Sequence, residues 1–99
     1  MMNQLKYEAT IVAGYANTCM YADMDYYEDW FTARIFAQTF LDITKGKEID
    51  KLTKEEITNI KHGAEHLMNV ALGHAHPENP YIEEWFSIHE FSDNVLKKL

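Results

Sequence analysis

A chain of 99 residues supports one modest hydrophobic core and is too short for a two-domain enzyme with a deep cleft. With 46% hydrophobic and 13% aromatic residues, two prolines and four glycines, its composition is that of a globular protein, not a disordered one. The formal net charge of −7 disfavours sequence-independent binding to nucleic acid or anionic lipid, which need a basic surface, and suits basic protein partners or metal cations. The lone cysteine, Cys19, excludes an internal disulfide and fits a reducing compartment. No signal-like leader opens the chain and no apolar run approaches about 18 residues, so the expectation is a cytoplasmic protein of one domain, 1–99, outside the membrane.

From Asn3 to Ala22, Leu5, Ala9, Val12, Ala16, Cys19 and Met20 line one face at helical spacing, and that face is mostly small. Leu5, Tyr7, Ala9 and Ile11 also alternate with polar residues, the mark of a strand. Helix is expected, because the helical face persists for about four turns while the alternation fades after Ile11. The alternative is an α+β fold with residues 5–12 as a strand.

Asp25 to Thr44 reads as the hub. Its apolar residues Tyr26, Tyr27, Trp30, Ala33, Phe36, Ala37, Phe40, Leu41 and Ile43 cover more than half of a helical circumference, so it needs neighbours on several sides. Asp25 is the expected N-cap with Glu28 as its reciprocal partner, and Gly46 follows the end.

After a charged connection, Thr53 and Glu56 form the most specific start signal in the chain, a capping box with Leu52 and Ile57 as hydrophobic staple. Ile57, Ile60, Ala64, Leu67, Met68, Ala71, Leu72 and Ala75 then make one apolar stripe, with Gly73 as the expected stop. Asn79 and Pro80 supply a cap and a first-position proline for a last helix, whose buried face is expected to be Ile82, Trp85, Phe86, His89, Val95, Leu96 and Leu99.

The fold class expected is an all-α, antiparallel four-helix bundle, since short connections favour up-down-up-down packing. That topology places the starts of the second and fourth helices at one end. Asp23, Asp25, Tyr26, Glu28 and Asp29 then meet Glu78, Tyr81, Glu83 and Glu84 there, beside His74 and His76. Lys45, Lys47, Lys51, Lys54, Lys97 and Lys98 collect at the other end. Carboxylates interleaved with aromatic rings suit docking onto a basic protein surface, charge steering the approach and rings supplying contact area. Acidic residues in first turns also simply complement the helix dipole.

His62-Gly63-Ala64-Glu65-His66 matches H-x-x-E-H, a zinc motif of one metallopeptidase class. The resemblance covers five residues, and both histidines fall opposite the apolar stripe. His74 and His76 are a second candidate pair for a divalent metal, with Asp23, Asp25 or Glu78 as oxygen ligands. His89, with Asp93 one turn on, reads as a core histidine bonded to a neighbour or as a pH-sensitive group. Cys19 reads as an ordinary buried thiol, and nothing points to nucleophilic catalysis. Phe91 falls on the polar side of its helix, where with Tyr7 or Ile11 it would mark an oligomer contact.

Three function classes follow. The first is a non-enzymatic protein that inhibits or regulates a partner by occupying its basic surface, in the manner of small acidic accessory and anti-defence proteins of phages and mobile elements. The second is a metal-binding protein or metallohydrolase using His62, Glu65 and His66. The third is a homo-oligomer that sequesters a small ligand between subunits.

Overall fold

Small side chains settle the first segment. A computed structural model, which describes residues 2–99, shows Leu5, Ala9, Val12, Ala13, Ala16, Cys19 and Met20 buried along one face of an unbroken helix, α1 (Met2–Ala22). The strand alternative for residues 5–12 is therefore wrong: the pairing partner a strand needs is absent, as the described residues include no strand at all. Three further helices follow, α2 (Tyr27–Thr44), α3 (Lys54–His74) and α4 (Ile82–Lys98), joined by short connections that favour reversal of direction. The tightest pairs are α1 with α2 and α3 with α4; α1 then packs on α4 and α2 on α3, closing a four-helix bundle about 40 Å long and 20 Å across.

The core divides by side-chain size. Ala9, Ala13 and Ala16 of α1 and Ala33 and Ala37 of α2 are all buried, and small side chains let the backbones of this closely packed pair approach. The large rings instead cross the bundle from α2 to α4. Trp30 stacks on Trp85 with ring centroids 4.1 Å apart, while Phe91 lies 5.8 Å from Phe36 and 5.6 Å from Phe40. Aromatic pairs at such separations contribute about 0.5–1.5 kcal/mol beyond the area they bury.

Several local expectations are corrected. Asp25 does not cap α2. A 3-10 turn at Met24–Tyr26 precedes the helix, Tyr26 occupies the cap position, and no side chain bonds to the cap amides. The turn arises because the Tyr26 N–H donates to the Asp23 carbonyl at 3.0 Å, winding the chain more tightly than an α-helix. Helix α3 runs through Gly73 to His74, and among the described residues only Gly46, at φ 70°, adopts a left-handed conformation. On α4 the buried stripe is Trp85, Ile88, Phe91, Ser92 and Val95. Phe91 is 1% exposed and belongs to the core, so it marks no oligomer contact, whereas Phe86 is 52% exposed. His89 is half-buried and Asp93 pairs with Lys97 at 2.9 Å, which leaves no core histidine on this helix. The helix is rotated from the expected face because Phe36 and Phe40 present a socket that Phe91 fills.

The capping box forms as expected: Glu56 N–H donates to Thr53 Oγ1 at 3.1 Å and Thr53 N–H donates to Glu56 Oε1 at 2.9 Å. That amide, together with Lys47 Nζ at 3.1 Å, holds the Glu56 carboxyl below the usual glutamate range. A lowered folded-state pKa adds stability above the unfolded value, about 4.3, which is lost as pH falls through the folded one. Glu56→Gln keeps the cap acceptor and loses the ionic part. Thermal melts from pH 6 to pH 3 should show wild type ahead of the variant at the top of that range and the gap closing in acid; a gap that is constant with pH would contradict this account.

A Cβ at Gly14 meets nothing within 4 Å, so Gly14→Ala should stabilise by about 0.5–1 kcal/mol through helix propensity. At Gly63 a Cβ would come to 2.6 Å from Phe36 Cδ1, and the Phe36 ring is held by Phe40 and Phe91. Gly63→Ala should therefore cost about 1–3 kcal/mol despite the same propensity gain, as read from urea melts.

Candidate partner-binding end

The end at which α2 and α4 begin is built on rings. Trp30 and Trp85 stack beneath it, Tyr81 meets Trp30 edge-on at 5.9 Å, and His74 lies flat on Trp85 at 4.5 Å with an interplanar angle of 15°. Tyr26 closes over His74 edge-on at 4.7 Å. Although His74 sits in the last turn of α3, it is only 8% exposed.

Polar bonds lock these rings in place. His74 Nε2 lies 2.6 Å from Asp29 Oδ2, and Trp30 Nε1 donates to Asp23 Oδ2 at 3.1 Å. Asn79 spans the last connection: its Nδ2 donates to the His74 carbonyl at 2.8 Å and its Oδ1 accepts from Tyr81 N–H at 2.9 Å. The expected cap is therefore corrected: α4 begins at Ile82 with Tyr81 at its cap position and no side-chain cap bond, Pro80 lies in the turn before it, and Asn79 closes an Asx turn instead. The Trp85 Nε1 is buried with no hydrogen-bond partner among the described residues.

Two shallow depressions flank this ring stack. The larger, about 520 Å³, is lined by Met24, Asp25, Tyr26, Tyr27, Glu28 and Asp29. The smaller, about 210 Å³, is lined by Asp23, Tyr26, His74, His76, Glu78, Asn79 and Pro80. The structure therefore brings together Asp23, Asp25, Tyr26, Glu28 and Asp29 with Glu78, His74 and His76, as the alternating topology requires. Tyr81 joins the core through Trp30. Glu83 is exposed in the first turn of α4, and Glu84 is half-buried on the side that faces Cys19. Asp23 and Asp29 serve two purposes, since each accepts an internal bond and each also lines a depression. Asp25, Glu28, Glu78 and Glu83 are exposed.

His62, Glu65 and His66 are exposed on α3, along the side of the bundle. Among the described residues no three His, Cys, Asp or Glu side chains gather as a metal-binding group, at this motif or at His74 and His76. The glycine inside the motif has a packing role, as the seat of the Phe36 ring.

Apolar residues that the sequence reading passed over also lie here. Phe31 and Ile35 are exposed on α2, and the Tyr27 ring stacks parallel on Phe31 at 6.1 Å. Their four-residue spacing, outside the arc that the core can use, is the signal that locates them.

Cys19 is buried on α1. Burial, and then the nearby Glu84 and Asp23 carboxylates, push its thiol up to about 11. Iodoacetamide at pH 8 should therefore modify native Cys19 at least about two orders of magnitude more slowly than the unfolded chain, whose thiol titrates near about 8.5. Labelling at the unfolded rate under native conditions would show that this corner of the fold is open.

Compared with protein-family models, curated proteins and solved structures, the chain matches none. Among the described residues no helix is long and apolar enough to cross a membrane.

Proposed function

We propose that this chain is a non-enzymatic binding protein whose acidic, aromatic end docks onto a basic surface of a protein partner. One observation carries the reading. Asp25, Glu28, Asp29, Asp23 and Glu78 line two adjoining depressions around a fixed stack of rings, and no lysine or arginine is found among the described residues that line them. Carboxylates arranged this way speed encounter with a cationic surface, and rings already held by packing lose little entropy on contact. A basic surface that otherwise holds nucleic acid fits the same chemistry, so occupancy by this chain inhibits or regulates the partner. The small acidic accessory proteins of mobile elements offer an analogy of size and charge for that role.

The test begins with capture from lysate of the source cells, identification of the partner, and titration of the purified pair across salt. Asp25→Asn/Glu28→Gln/Glu78→Gln leaves the internal bonds of Asp23 and Asp29 intact. It should weaken binding at least several-fold at low salt and flatten the salt dependence. A partner held equally well by the neutralised variant, with affinity unchanged at high salt, sinks the electrostatic reading.

A further inference from the structure

A groove between α2 and α3 opens off the acidic end. It is walled by Phe31, Ile35 and Phe36 from α2 and by Asn59, Gly63 and His66 from α3, and its volume is about 480 Å³. Phe31 and Ile35 stand 41% and 48% exposed, one helical turn apart. Their apolar surface adds nothing to a core already filled by Trp30, Ala33, Ala37 and Phe40 from the same helix. Gly63 keeps the α3 wall low, and Phe36 lies against it. Tyr27 connects this groove to the acidic end, because it stacks on Phe31 and also lines the depression that holds Asp25, Glu28 and Asp29. The apolar strip and the carboxylates are one continuous surface, and among the described residues no lysine or arginine lines either part.

We infer that this surface binds a cationic amphipathic helix of a protein partner, with its apolar side in the groove and its lysines or arginines against Asp25, Glu28 and Asp29. The inference rests on the docking role proposed for the acidic end and specifies what docks there. Three features select this occupant. A segment binding as an added strand needs a sheet edge, and the described residues contain no strand. A second copy of this chain brings another −7 of charge, which opposes self-association at an acidic surface. A helix matches the site in length and spacing. From Tyr27 to Thr39 α2 rises about 18 Å, or a little over three turns, and the rise of about 6 Å between Phe31 and Ile35 equals that between apolar side chains at i and i+4 of a bound helix. Asn59 and His66 at the rim provide polar partners for the edge of that helix.

The test uses two synthetic peptides of about 15 residues with one composition. In one, leucines occupy i, i+4, i+7 and i+11 and lysines are confined to one end; in the other, the same residues are scrambled around the helix. Each is titrated into the full chain by calorimetry and followed by amide chemical shifts. The patterned peptide should bind at least tenfold more tightly than the scramble, with shifts clustered at Phe31, Ile35, Gly63 and His66. Phe31→Ser/Ile35→Thr should remove at least tenfold of that affinity. Thr39→Trp, which fills the groove from its exposed rim and leaves the core untouched, should do the same. Asp25→Asn/Glu28→Gln should weaken binding at low salt much more than at high salt. Equal affinity for the two peptides, or full affinity in both groove variants, overturns the groove while leaving a purely electrostatic acidic end standing. Absence of binding by either peptide also overturns it. Tight, patterned binding that ignores Asp25→Asn/Glu28→Gln overturns the charged half of the inference and, with it, the docking role of the acidic end.

Discussion

The stack of Trp30 on Trp85 is the contact on which the arrangement of this molecule depends. It joins α2 and α4, which run parallel across the diagonal of the bundle, and it does so within one turn of both N-termini. Two acidic first turns are thereby held at one end. Their mutual repulsion is moderated because each N-terminus carries partial positive charge from its unpaired amides. His74 completes the assembly from the end of α3, lying flat on Trp85 while Asp29 takes its Nε2. A cationic or N–H-donating group at a helix C-terminus also offsets the negative end of the α3 dipole.

Filling the diagonal with large rings has a consequence for α2. A helix in a four-helix bundle buries one stripe, and α2 carries more apolar residues than one stripe can hold. Trp30, Ala33, Ala37 and Phe40 occupy it. Phe31 and Ile35 are left facing outward, and Tyr27 and Phe36 stand between the two environments. The surplus is not spread at random, since it begins at the acidic end and continues down the α2–α3 groove. Exposed apolar area costs nothing in the folded state relative to the unfolded one, but it adds no stability either. The partner contact proposed above would bury it.

The H-x-x-E-H pattern shows why spacing alone decides little. His62 and His66 share a helix face as the motif demands, yet that face looks outward and no third ligand among the described residues joins them. Gly63 answers to a different requirement, the close seating of Phe36. One short stretch therefore satisfies a packing constraint while matching a catalytic pattern.

Local information in the chain was enough for the helices, the capping box at Thr53 and Glu56, and the alternating directions that gather Asp23, Asp25, Glu28 and Asp29 beside Glu78. Each of these follows from periodicity, from bonds between residues three or four apart, or from the shortness of the connections. The tertiary structure alone decided the rest. On α4 two stripes at nearly the same spacing compete, one through Phe86 and His89 and one through Ile88 and Phe91. Only the socket offered by Phe36 and Phe40 chooses between them. His74 reads in sequence as a loop histidine, but its bond to Asp29 links residues 45 positions apart. Asp25 had every local qualification as a cap and lost that role to the tight turn drawn from Asp23. Choices between near-equivalent faces are settled by volume and by hydrogen-bond partners on other helices, and neither is written in the spacing of a single one.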